Sequence, residues 1–289
     1  MEIETGVPLA RLTTIGTGGP AAAFARPTSL AELEEAIAWA SARGLAVRTV
    51  GLGSNLLAAD EGVDALVLRL AGDLAGVEIE GHLLRAGGGA TNAVCLHRAR
   101  DAALGGLEFA CAIPGTAGGG VRMNAGAYGS DWSAILVRAL VVSADGAGWL
   151  TPAELGLEYR HSHVGPPQVV AEVEYRLSPR RVEEIKTEVA ELVARRKATQ
   201  PTNKRTFGSV FKNPPGELGA GRMLELCGLK GHAIGGALVS PRHANFIENA
   251  GDATSENCLD LMREARRRAH EQFGVQLEHE VVLLGDHAL

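Results

Sequence analysis

The chain has 289 residues, 46% of them hydrophobic, which supplies a packed core, excludes wholesale disorder and predicts two domains or three small ones at about 150 residues per domain. A formal charge of −6 and only 4% aromatic residues exclude a global basic footprint and a stacking platform, so no nucleic-acid partner is expected. Glycine is the outlier, 37 of 289 residues, roughly 13% against a usual value of about 7%, without a three-residue period; this predicts a globular protein rich in backbone-lined turns.

The elements follow in chain order. Ala21 to Arg26 reads as a short strand. Ser29 and Glu32 form a capping box for a helix whose face is Leu30, Leu33, Ile37 and Ala40, and Gly44 stops it. Leu45 to Val50 is a strand ending in Gly51-Leu52-Gly53-Ser54-Asn55, and Ala65 to Leu70 is another. Val77 to Glu80 and Leu83 to Ala86 flank the two-residue turn Gly81-His82 and predict a hairpin. Thr91 to Leu104 is helical, and Gly105 to Ser130 has no clear period. Leu136 to Ser143 and Gly148 to Leu150 are strands around Asp145-Gly146. Val169 to Leu177 is a strand, and Val182 to Arg196 a helix. The polar stretch Ala198 to Thr206, with Pro201, reads as a domain boundary. Beyond it lie a helix at Ala220 to Cys227, a strand at Ala244 to Glu248, a helix at Ser255 to Phe273 and a last strand at Glu280 to Leu284.

No apolar run of about 18 residues is present, so no membrane span is expected. Met1-Glu2-Ile3-Glu4 is acidic and no apolar segment follows, so no secretory signal is expected. Cys95, Cys111, Cys227 and Cys258 are isolated, as reduced thiols of a cytoplasmic protein would be. His161 and His163 have no evident third ligand, and no metal is expected.

Two glycine loops imitate nucleotide motifs and fail them. Gly51-Leu52-Gly53-Ser54-Asn55-Leu56 lacks the third glycine of a Rossmann turn, and the gap to Ala65 is too short for a crossover helix. Gly216 to Met223 has P-loop glycine spacing but places Arg222-Met223 where Lys-Ser/Thr is needed. Gly51 to Asn55 and Pro114 to Gly120 remain as two turns whose N–H groups can form concave anion sites without a helix. They suit the two phosphates of one diphosphate, and plain turns are the alternative.

Several stretches add up in order and spacing. They are Thr13 to Ala21, Gly51 to Asn55, Ile113 to Gly119, Met123 to Gly129, Tyr159 to Ser162, Gly208 to Pro214, Gly228 to Gly231, His243 to Phe246 and Leu277 to Val281. Together they resemble the UDP-N-acetylenolpyruvoylglucosamine reductase family, flavoenzymes that make UDP-N-acetylmuramate for peptidoglycan. The resemblance covers nearly the whole chain and points to the compact subclass, which lacks an inserted substrate-covering loop. Cys111-Ala112 before Ile113 and Val282 after Val281 depart from the usual pattern.

The resemblance implies an α+β fold. A two-subdomain FAD-binding region of the vanillyl-alcohol-oxidase type (residues 1–70 and 71–197) precedes an α/β substrate-binding domain (198–289). It implies non-covalent FAD with NADPH as reductant. The flavin residues would be Gly51, Gly53, Ser54, Asn55, Pro114, Gly115, Thr116, Gly119, Asn124, Ala125 and Gly126. The substrate would be an enolpyruvyl ether of a UDP-sugar, held by Tyr159, Lys212 and Asn213. Hydride addition to the vinyl carbon pushes charge into the carboxylate, so the site needs a fixed cation there and an acid for the adjacent carbon.

By resemblance Ser209 is the proton donor. Lys204, Arg205 and Lys212 nearby in sequence would lower the cost of a transient alkoxide. Arg160 would pair with the carboxylate through its planar fork. Glu280 would orient the intermediate, although Glu278 lies two residues away on the same face and only motif position separates them. Arg195, Arg196 and Lys197 read first as the basic last turn of a solvated helix. A monomer is expected. Two other readings stay open: a flavin oxidase of the same fold, and a flavin- or sugar-nucleotide-binding protein without catalysis.

Overall fold

The structure is a computed structural model and describes residues 1–287. The chain divides into two units. The first comprises Met1–Glu4, Ala23–Leu52 and Ala65–Arg195, and the second Thr5–Ala22, Gly53–Asp64 and the chain from Arg196 onward.

In the first unit the strand Val169–Arg176 is central to a five-stranded antiparallel sheet. The order is Gly146–Leu150, Leu136–Ser143, Val169–Arg176, Leu83–Gly87 and Val77–Glu80. Its β-branched residues bury both faces, as a central strand requires. The Gly81-His82 turn closes the expected hairpin, with Gly81 at φ 57°. Helix Asn92–Asp101 starts at Thr91, whose hydroxyl accepts the Val94 N–H at 3.3 Å, and it buries Cys95, Leu96 and Ala99 in a core with Trp132 and Tyr175.

A second core of this unit lies under helix Leu30–Ser41, which buries Leu33, Ala36, Ile37 and Ala40. Each large apolar side chain there contributes about 1.5–3 kcal/mol by leaving water. Leu30, expected on that face, is exposed. The capping box also differs. Ser29 accepts the Glu32 N–H, but the Glu32 carboxylate turns to the N–H and hydroxyl of Thr28, both at 2.7 Å.

The glycine-rich stretch Gly105 to Ser130, which shows no clear period in sequence, forms short regular elements. It contains a short 3-10 helix at Glu108–Ala112, an α-helix at Ala117–Arg122 and a small hairpin of Gly126–Ala127 with Ser130–Asp131. Helix propensity is poor at Ala117-Gly118-Gly119-Gly120, but packing overrides it: a side chain at Gly120 would stand 2.8 Å from the Trp132 ring. The loop expected to open without a helix is thus the start of one.

In the second unit four antiparallel strands lie in the order Thr206–Ser209, Phe246–Asn249, Ala237–Val239 and Ala233–Ile234. Helix Ser255–Phe273 spans the expected residues. Thr254 and Asn257 form its capping box, and Gly274 ends it at φ 68°. The Asp60 carboxylate accepts the Ser255 and Glu256 N–H groups at 2.9 and 3.0 Å, where a helix start favours negative charge. The helix buries Cys258, Leu259, Leu261, Met262, Ala265 and Ala269 against Phe207, Ala237, Val239 and Ile247 of the sheet. The last strand is Val282–Leu284, parallel to Leu56–Ala58, so Glu280 precedes it instead of opening it.

Candidate active site

In the first unit the Tyr159-Arg160 pair sits at the tip of a tight turn. Glu158 and His161 exchange both backbone hydrogen bonds, at 3.0 and 3.1 Å, and Arg160 adopts φ 55°. Three contacts fix this turn. The Ser162 hydroxyl donates to the Arg122 carbonyl at 2.6 Å. The Asn124 amide donates to the Glu158 carbonyl at 2.9 Å and accepts the Ser133 N–H at 3.1 Å. The Arg160 guanidinium donates to the Gly126 carbonyl at 2.7 Å and lies 4.8 Å from the centre of the exposed Tyr159 ring. Asn124 is 2% exposed, and its side chain is committed to other protein groups.

Thr116 caps the helix Ala117–Arg122, its hydroxyl accepting the Gly119 N–H at 3.4 Å. Gly51 rests on it: a Cβ at Gly51 would come within 2.7 Å of the Thr116 hydroxyl, so any larger residue would push the two apart. Behind Thr116, Asn92 N–H donates to the Gly115 carbonyl and Ala117 N–H to the Ala90 carbonyl. The N–H groups of Gly51, Gly115 and Thr116 take no acceptor among the described residues. Donors without an acceptor in a glycine-rich turn fit an anionic group such as a diphosphate.

In the second unit Ser209 is displayed by a bulge. Thr206 pairs with Glu248 and Ser209 with Phe246, so three steps on one strand match two on the other. Gly208 supplies the extra residue at φ 83°, a backbone state that side chains resist. Phe207 and Val210 therefore both enter the core while Ser209 faces away from it. Asn245 holds the next residue like a strand partner: its amide accepts the Phe211 N–H at 3.0 Å and donates to the Phe211 carbonyl at 2.8 Å.

Residues 210–212 run antiparallel to 278–280. Glu280 N–H donates to the Val210 carbonyl, and Lys212 N–H to the Glu278 carbonyl, both at 2.9 Å. Asn55 donates through its side chain to the Glu280 carbonyl at 3.0 Å, and a Cβ at Gly208 would lie 3.3 Å from the Ser54 carbonyl. Ser209, Glu280, Ser54 and Asn55 thus gather in one neighbourhood. Thr14 pins Gly53, its N–H and hydroxyl donating to the Gly53 carbonyl at 3.0 and 3.1 Å. The N–H of Gly53 takes no acceptor among the described residues.

The two glutamates that motif position alone separated differ in setting. The Glu278 carboxylate is largely exposed and pairs with the Lys212 ammonium at 3.3 Å. Glu280 lies opposite Val210, the neighbour of Ser209. The two proposed substrate residues after Ser209 also have protein partners: Lys212 has Glu278, and the Asn213 side chain accepts the Ala220 N–H at 3.0 Å.

Sequence reasoning placed Asn124 among the flavin residues and not as a clamp, and it missed Asn245, at which only its place inside His243 to Phe246 hinted. It also passed over His243, whose ring packs 5.1 Å from Phe246 and whose imidazole is held below its ordinary range by burial and then by the Lys230 charge. Among the described residues no group of three or more His, Cys, Asp or Glu could hold a metal, and no helix is long and apolar enough to cross a membrane.

Comparison with known proteins matches residues 21–148 to an FAD binding domain and residues 200–284 to the C-terminal domain of UDP-N-acetylenolpyruvoylglucosamine reductase. The chain is 44% identical over 285 residues to UDP-N-acetylenolpyruvoylglucosamine reductase 2 of Symbiobacterium thermophilum, covering 98% of this chain and 92% of that one. It is 42% identical to the enzyme of Myxococcus xanthus, covering 99% and 93%. The crystal structure of UDP-N-acetylenolpyruvylglucosamine reductase from Thermus caldophilus superposes with a TM-score of 0.86 at 37% identity, covering 98% and 99%.

These matches define an FAD-dependent oxidoreductase with the expected α+β architecture, a vanillyl-alcohol-oxidase-type flavin region followed by a distinct C-terminal domain. The chain belongs to the UDP-N-acetylenolpyruvoylglucosamine reductase family, and its role is that of a reductase in peptidoglycan precursor synthesis.

Proposed function

We propose that the protein uses NADPH to reduce the enolpyruvyl group of UDP-N-acetylglucosamine-enolpyruvate to the lactyl ether, giving UDP-N-acetylmuramate. FAD, bound without a covalent link, supplies the hydride. The observation that carries the reading is the Gly208 bulge, which turns Ser209 out of the core beside the segment bearing Glu280.

In this reading Ser209 gives its proton to the carbon next to the carboxylate once hydride has reached the vinyl carbon. The Arg160 guanidinium neutralises the charge that spreads into the carboxylate, with its orientation preset by Gly126. Glu280 orients the intermediate; the Lys212 pairing of Glu278 supports Glu280 over its neighbour. Gly51, Gly53, Ser54, Asn55, Pro114, Gly115, Thr116, Gly119, Ala125 and Gly126 hold the flavin chiefly through backbone. Asn124 serves by fixing the turn that carries Arg160. Tyr159, Lys212 and Asn213 contact the sugar nucleotide, and Lys212 exchanges Glu278 for the diphosphate. Residues 1–70 and 71–197 make up the flavin region and 198–289 the substrate domain of a cytoplasmic monomer.

The test separates the half-reactions. Ser209→Ala should keep bound FAD and its reduction by NADPH, but lose reoxidation by the enolpyruvyl substrate. Normal reoxidation in that variant removes Ser209 from the proton-donor role.

A further inference from the structure

Arg122 closes the helix Ala117–Arg122, and its guanidinium is partly buried. That guanidinium makes no hydrogen bond or ion pair among the described residues. Nor has Arg48, on the strand Ala46–Thr49, an acid: its side chain donates only to the Val47 carbonyl at 3.1 Å. The two cations act on each other. Burial first, and then the Arg48 charge, push the Arg122 guanidinium below the ordinary arginine range.

Three other arginines of this unit have carboxylates. Arg138 reaches Glu174 at 2.6 Å, Arg180 reaches Glu188 at 2.6 Å and Arg85 reaches Glu172 at 3.0 Å. A partly buried cation with no anion, in the field of a second cation, is unfavourable unless something negative joins it.

Backbone spacing gives the distance of each arginine from the contact of Gly51 with Thr116. Arg48 is three residues back along its strand, about 10 Å from that contact. Arg122 is six residues on along its helix, about 9 Å from it. Both arms thus have similar length, and a long side chain on a helix leans back toward the helix start. At that contact are the uncommitted N–H groups of Gly51, Gly115 and Thr116.

We propose that Arg48 and Arg122 form a phosphate-binding pair in which the diphosphate of FAD serves as their shared counterion. The inference rests on the FAD reading and adds two side chains to a site otherwise built from backbone. Arginine forks suit phosphate oxygens because they bind at two points and remain charged. FAD is favoured over other phosphates because both arginines fall within residues 21–148, the stretch that matches an FAD binding domain. The 2′-phosphate of NADPH shares the chemistry and is separated by the test.

The full-length protein, stripped of flavin, is titrated with FAD and with riboflavin, which lacks phosphate. Arg122→Met and Arg48→Met should each weaken FAD by about ten- to a hundredfold, the loss of one charge-assisted contact, and leave riboflavin unchanged. Arg122→Lys should fall between. The flavin-free Arg122→Met protein should melt no lower than the parent, because one of two like charges is gone. Raised salt should weaken FAD binding more in the parent than in the variants.

Equal loss of FAD and riboflavin, unchanged FAD affinity, or a lowered melting temperature of the flavin-free variant would each overturn the proposal. A rise in KM for NADPH but not NADH, with FAD binding intact, would move the phosphate to the reductant and overturn the assignment to FAD. Failure of the parent protein to take up FAD would instead refute the flavoprotein reading itself.

Discussion

Asn245→Ala tests whether the His243-Ala244-Asn245-Phe246 stretch acts as a mechanical clamp on the segment after Ser209. Asn245 is 4% exposed, and its amide makes two hydrogen bonds to one residue, to the Phe211 N–H at 3.0 Å and the Phe211 carbonyl at 2.8 Å. Phe211 is 2% exposed, so truncation leaves a donor and an acceptor stranded where water has poor access. Each stranded group costs about 1–3 kcal/mol, which gives about 2–4 kcal/mol for the pair once partial relaxation is allowed. At about 2–4 °C per kcal/mol for a chain of this size, the melting temperature should fall by about 4–16 °C. Asn245→Asp should do no better, because a carboxylate cannot donate to the Phe211 carbonyl.

The assay is thermal unfolding by circular dichroism, with stopped-flow measurement of both half-reactions at a temperature where the variant is folded. Flavin reduction by NADPH should be unchanged. Reoxidation by the enolpyruvyl substrate should slow by about tenfold or more, since small displacements of a reacting group are costly. A melting temperature within about 2 °C of the parent would refute the clamp, because that is under 1 kcal/mol on the same scale.

Gly208→Ala forces a side chain to φ 83° with its Cβ 3.3 Å from the Ser54 carbonyl. It should cost about 1–2 kcal/mol of stability and impair reoxidation more than flavin reduction; equal effects on both half-reactions would count against the bulge as the device that displays Ser209. Glu264 bonds Arg267 and Arg268, which hold its carboxyl down at about 2. A depressed carboxyl contributes stability that is present above its unfolded value and is lost as pH falls through the folded one. The Glu264→Gln variant should therefore be less stable than the parent at neutral pH, by about 1 kcal/mol after solvent screening, with the gap closing between about pH 4.5 and 2 in urea titrations. Burial pushes the Cys95 and Cys258 thiols up to about 12, so both should resist a thiol reagent at pH 8 until the chain unfolds; rapid labelling of either in the native protein would contradict their burial.

Local chemistry was enough to find the elements with strong period and clear caps. Helix Ser255–Phe273 carries its apolar face, its Thr254 cap and its Gly274 stop within one stretch, and the Gly81-His82 hairpin needs only two alternating runs and a turn. The ordered motif set also carried the family, because each stretch constrains backbone or chemistry at a fixed place in the chain.

Contacts between distant residues decided the rest. The helix at Ala117–Arg122 has poor intrinsic propensity and is held by Thr116, Trp132 and the strand behind it. Glu32 could cap Ser29 or Thr28 with the same side chain, and the turn geometry chose Thr28. Glu278 and Glu280 are equivalent in a pattern of period two; Lys212, 66 residues away, distinguishes them by pairing with the first. Arg48 and Arg122 are ordinary surface-type residues when read along the chain. Their shared lack of an acid is a property of space, since a counterion is missing only once every neighbour is known.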